Sequence, residues 1–126
     1  MPIIRVIVPE KRTEASSKAL IEKITEAVEL AGCGPIEKVR IVVQESQEVA
    51  PDGPVGPLNG FAHLPIIELF LIEGRSHESK QMLIDKVAAA VQNAGLGSDG
   101  DPRVFLREIP STAWGIAGKT ARSLGR

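Results

Sequence analysis

Pro2-Ile3-Ile4-Arg5-Val6-Ile7-Val8 and Pro65-Ile66-Ile67-Glu68-Leu69-Phe70-Leu71-Ile72 are the two stretches that decide how the chain is read. Each opens on a proline and runs at once into a β-branched, apolar segment of strand length. Laying Pro2 on Pro65, an offset of 63 (65 minus 2), keeps both halves in register without a gap for some forty positions. Glu10 then falls on Glu73, Arg12 on Arg75, Ser16 on Ser79, Leu20-Ile21 on Leu83-Ile84 and Lys23 on Lys86. The same offset puts Ala27-Val28 on Ala90-Val91, Gly32 on Gly95, Arg40 on Arg103 and Glu45 on Glu108. Such a sustained match identifies two copies of one supersecondary unit.

Outward from the two strands, each half reads alike. In the first, Thr13 is the expected N-cap, apolar residues recur at Leu20, Ile21, Ile24, Ala27, Val28 and Ala31, and Gly32 stops the helix. In the second, Ser76 caps, the stripe is Leu83, Ile84, Val87, Ala90, Val91 and Ala94, and Gly95 ends it. A second strand is predicted over 39–45 and over 103–108. Strand, helix and strand in about 45 residues make a βαβ unit with parallel strands and a right-handed crossover.

The predicted class is α/β in its local units and α+β as a whole: tandem βαβ units forming a four-stranded mixed sheet with two helices on one face. The chain of 126 residues is expected to be a single domain of two pseudo-repeats. The first unit spans 2–45, the second spans 65–126 and ends in a small hairpin, and 46–64, rich in proline and glycine, connects them. Ile3 or Ile4, Val6, Val8, Leu69 and Leu71 are expected to leave the second sheet face apolar with no third helix to cover it. Oligomerisation is the economical way to hide it.

Composition narrows the function. Fifteen Lys+Arg against sixteen Asp+Glu give a net charge of -1, which offers no electrostatic footprint for nucleic acid. The apolar runs are too short for a membrane span and the first residues lack a secretion signal, so a cytoplasmic location is expected. A lone Cys33 forms no internal disulfide, and His63 and His77 have no third ligand near them, so no metal is expected. Cys33 and both histidines receive no functional role.

No nucleophile elbow, phosphate loop or dinucleotide fingerprint is present. What is unusual is Pro2 behind the initiator. Once Met1 is trimmed, its nitrogen is a secondary amine fixed on a rigid ring at the start of a strand. Burial and neighbouring Arg⁺ both disfavour the protonated form, leaving a base active near neutrality. Arg12, Arg75, Arg40 and Arg103 supply guanidinium groups able to grip a carboxylate and stabilise charge growing on a carbonyl oxygen.

At these residues the chain resembles the tautomerase superfamily, whose type member, 4-oxalocrotonate tautomerase (4-OT), is a subunit of about sixty residues starting at a catalytic proline. Pro65-Ile66-Ile67, Leu71-Ile72-Glu73-Gly74-Arg75-Ser76, Leu83-Ile84, Arg103-Val104 and Trp114-Gly115-Ile116-Ala117-Gly118 look like successive blocks of that subunit. The first half carries the same proline and the arginines ten and thirty-eight residues beyond it, Arg12 and Arg40. The whole therefore resembles a fused pair of family subunits.

The resemblance implies a cofactor-free keto–enol isomerase of small unsaturated 2-oxo acids, with Pro2 moving the proton and arginines binding a carboxylate substrate. It implies Arg75 facing Pro2, Arg40 or Arg103 arriving from a neighbouring assembly unit, and Trp114 as an aromatic pocket wall. Arg12 falls to the site of Pro65, and Pro65, a tertiary amide, has no basic lone pair. A hexamer of single units becomes a homotrimer of fused ones. Hydratase, dehalogenase and decarboxylase branches are the alternative. Their extra arginine falls on Ile72 here and their water-activating carboxylate on Gly115 and Ile116, with Asp52 as a conceivable substitute. A non-catalytic oligomeric binding protein is the alternative of a different class.

Overall fold

The computed structural model describes residues 2–8, 13–33, 39–45, 65–94 and 102–126. The expected connector 46–64, with Pro51, Asp52 and His63, lies outside the described residues, as do Arg12 and Gly95.

Strand β1 (Ile3–Val8), helix α1 (Glu14–Leu30) and strand β2 (Arg40–Glu45) form the first unit. Strand β3 (Ile66–Ile72), helix α2 (His77–Asn93) and strand β4 (Arg103–Ile109) form the second. Strand β2 begins one residue later than read from the sequence, and β4 continues one residue further, where the amide of Glu73 donates to the carbonyl of Ile109 (2.9 Å). A two-residue ladder, β5 (Gly115–Ile116) with β6 (Lys119–Thr120), supplies the expected terminal hairpin, and a short 3₁₀ turn at Arg122–Leu124 follows.

Local chemistry explains the helix limits. The Thr13 and Ser76 hydroxyls each accept from the amide three residues on, at 3.1 Å, and so satisfy a donor that the helix leaves unpaired. At the end of α1, Gly32 adopts φ +70° and donates to Glu29, while Cys33 donates to Val28. This crossed pair closes the helix by a Schellman turn and carries Cys33 into the core.

The strands order as β2-β1-β3-β4, with β1 parallel to β2, β3 parallel to β4, and β1 antiparallel to β3. The helices bury Leu20, Ile24, Ala27 and Val28 from α1 and Leu83, Val87, Ala90 and Val91 from α2, identical positions of the repeat. They meet Ile4, Val6, Val8, Ile67, Leu69 and Leu71, all wholly inaccessible to solvent, in one continuous core.

That core corrects the face assignment. Ile4, Val6, Val8, Leu69 and Leu71 lie beneath the helices, and the uncovered face instead carries Ile3, Arg5 and Ile7 of β1 with Ile66, Glu68, Phe70 and Ile72 of β3. Val42 and Phe105, each 53% exposed, flank them on the outer strands. The reason is that β1 is apolar on both sides, so its hydrophobic run alone fixes no phase. Polar residues do sit on this face, where Arg5 grips Glu68 at 2.7 Å and Arg107 approaches the other carboxylate oxygen at 3.8 Å. Ile3 alone of the expected residues lies on it, and the predicted consequence survives with otherwise different residues: a broad, partly apolar sheet face lies open in the isolated chain.

Candidate active site

Topology gathers four of the six predicted residues at one end of the sheet. Pro2 is buried, and its carbonyl accepts the amide of Arg40 (3.2 Å), so Arg40 opens β2 directly beside it. Because β3 runs antiparallel to β1, its end at Ile72 passes the level of Pro2. Gly74, at φ +117°, a backbone state that side chains avoid, then turns the chain into half-buried Arg75. Strand β4 ends at the same level and leads into the hairpin.

The hairpin folds back over that end. Its turn residues Ala117 and Gly118 both have positive φ (50° and 82°), as a two-residue turn between twisted strands requires. Trp114 is 7% exposed, its carbonyl accepts the amide of fully buried Ala121 (2.7 Å), and Arg122 donates to Ser111 (3.0 Å). These bonds hold the indole against the sheet.

Between hairpin and sheet lies a cleft of about 260 Å³ lined by Ile3, Phe70, Ile109, Ala113, Trp114 and Gly115. Its floor of Ile3, Phe70 and Ile109 belongs to the uncovered face, and Ile3 directly follows Pro2. Two other depressions, of about 270 and 390 Å³, are lined only by helix residues.

Arg103 lies elsewhere. Its amide donates to the carbonyl of Pro65 (3.3 Å), and its partner across the ladder is Ile66, so within one chain it stands at the opposite end of the sheet. Four residues of strand, about 13 Å, separate the level of Ile66 from that of Phe70. Pro2, Arg40, Arg75 and Trp114 are therefore brought to one end and Arg103 is not. Among the described residues no His, Cys, Asp and Glu gather as metal ligands, and no helix is long and apolar enough to cross a membrane.

Comparison with known proteins identifies the family. The family model for "Tautomerase enzyme" matches residues 65–122. A 2-hydroxymuconate tautomerase of Comamonas testosteroni is 38% identical over 63 residues, which are 50% of this chain and all of that protein. The chain belongs to the tautomerase family. As an isomerase it is of the 4-OT-like kind in fused form, for the likeness to fused members extends over both halves. A wild-type fused 4-OT solved as an asymmetric trimer is 33% identical, with a TM-score of 0.83 over 98% of this chain and 99% of that one. Another, a symmetric trimer, is also 33% identical, with a TM-score of 0.82 over the same shares. A malonate semialdehyde decarboxylase at 18% identity shares the fold of the tautomerase family.

Arg107 escaped the sequence reading. Its counterpart in the first half is Gln44 (107 minus 63), so the repeat gave no signal for it, yet it pairs across the ladder with the cleft residue Phe70.

Proposed function

We propose that the chain is a cofactor-independent tautomerase of small unsaturated 2-oxo and 2-hydroxy acids, with the amino-terminal nitrogen of Pro2 as general base and acid. The observation that carries this reading is the buried Pro2, which directly precedes Ile3 in the floor of an apolar cleft walled by Trp114 and has Arg40 beside it. Removal of Met1 frees the nitrogen. The amine takes the proton from the enol hydroxyl or the α carbon and returns it to the remote carbon while the double bonds shift along the conjugated system, so the O–H or C–H bond broken is replaced by a new C–H bond and nothing is oxidised.

Arginine supplies what the amine lacks. Arg75, Arg40 and Arg103 hold a carboxylate and stabilise the enolate oxygen, and low dielectric in the cleft strengthens that attraction. Arg103 reaches a Pro2 only from a neighbouring copy, so this reading includes a homotrimer. Arg12 would serve the Pro65 end, where an amide nitrogen cannot accept a proton. We read the chain as a single domain of units 2–45 and 65–126 joined by 46–64.

The test is an ultraviolet assay of 2-hydroxymuconate and phenylenolpyruvate ketonisation, with intact mass verifying loss of Met1. Processed protein is expected to be active, and Pro2→Ala to lose about a hundredfold, the scale of general acid–base catalysis. An inert processed enzyme, or an equally active variant, overturns the proposal and brings the hydratase, dehalogenase or decarboxylase readings forward.

A further inference from the structure

The uncovered face of the sheet is ruled into rows by its register, and one row runs Arg40, Ile3, Phe70, Arg107 across β2, β1, β3 and β4. Its two inner members are floor residues of the cleft. Its two outer members are cations. Three strand spacings separate them, about 14 Å between Cα atoms, and both side chains rise on the same side of the sheet. The row therefore sets two apolar residues of the cleft floor between two arginines.

Glu68 determines how Arg107 is held. One carboxylate oxygen takes two bonds from Arg5, at 3.2 and 2.7 Å, and is spent. The other lies 3.8 Å from Nε of Arg107, close enough to attract the group and too far for a hydrogen bond. The Arg107 side chain is 67% exposed while that of Glu68 is 13% exposed. Arg107 is thus tethered electrostatically with its donors still available.

We propose that Arg107 is a specificity-determining residue of this cleft, binding the second carboxylate of a dianionic substrate whose conjugated middle lies over Ile3 and Phe70. The assignment rests on the cleft being the substrate site of the proposed tautomerase. It belongs to the Pro2 end alone: the matching row at the other end runs Gln44, Ile7, Ile66, Arg103, with a neutral amide where Arg107 stands.

Two ligands of equal chain length isolate the second charge, and neither can ketonise. Muconate carries a carboxylate at each end of a six-carbon diene; sorbate carries one. Calorimetric titration of the assembled, Met1-processed protein is expected to give at least about tenfold tighter binding of muconate, the scale of one charge-assisted hydrogen bond. Arg107→Gln should reduce that preference to about twofold or less without weakening sorbate, and Arg107→Lys should restore part of it. A preference unchanged in Arg107→Gln, an equal loss for both ligands, or no measurable muconate binding overturns the assignment. Should ketonisation fail while the Arg107-dependent preference holds, the proposed reaction falls and the anion site stands.

Discussion

At one end of the sheet Pro2 leads into β1 with its carbonyl bonded to Arg40; at the other Pro65 leads into β3 with its carbonyl bonded to Arg103. Both prolines are buried, both precede a strand of the same composition, and both are followed by a helix with the same cap. The ends part in covalent chemistry and in cover. Pro65 is acylated by Leu64, and the hairpin that carries Trp114 closes only the Pro2 end, because β4 runs antiparallel to β1. Among the described residues the strand–helix–strand scaffold occurs twice, while the hairpin and its tryptophan stand at the Pro2 end.

Breaking that contrast should have its largest effect at the prolines themselves. Pro2→Ala is expected to lower kcat/KM about a hundredfold, whereas Pro65→Ala should stay within about twofold; comparable losses in steady-state assays would make the ends equivalent. Next comes the wall. Trp114→Ala opens the cleft and should cost about tenfold in kcat/KM, the worth of a buried aromatic contact, mostly through KM. Installing the missing cation at the opposite end, Gln44→Arg, should leave turnover unchanged, since no amine works there.

Smaller effects sharpen the equivalence of the two scaffolds. Thr13→Ala and Ser76→Ala each delete one capping bond and should cost about 1 kcal/mol, the same for both within error when measured by denaturant unfolding. Smallest is the hairpin turn, where Ala117 holds a left-handed conformation at φ 50°. Ala117→Gly should be neutral or raise stability by up to about 1 kcal/mol, and a clear loss would show that the methyl packs usefully.

Much of this was legible in the sequence because the repeat reported strand, helix and strand twice. Strands β1 and β3, both caps and the closure of α1 at Gly32 lie where periodicity and capping residues put them. The sheet face was not read correctly, although the signal existed. Arg5 and Glu68 share a parity with Ile3, Ile7, Ile66 and Phe70, and a lone charge in an apolar strand marks the solvent side. In the site, strand direction decides what composition cannot: Arg40 and Arg103 both open a strand, and only parallel pairing with β1 puts Arg40 next to Pro2. Arg107 stayed hidden because the repeat, the strongest signal, is silent where the halves differ.

Arg5 and Glu68 are counterparts in the repeat, 63 positions apart, and they face each other across the antiparallel pairing of β1 with β3. The pairs on either side, Ile3 with Phe70 and Ile7 with Ile66, exchange under the same offset, so Arg5 and Glu68 straddle the pseudo-twofold axis. Whatever stands on such an axis meets its own image when two identical units pair. Two first halves in this register would set arginine against arginine, and two second halves glutamate against glutamate, each a direct like-charge repulsion across the strands. One ion pair on the axis therefore tells self from non-self, and commits each half to its sibling.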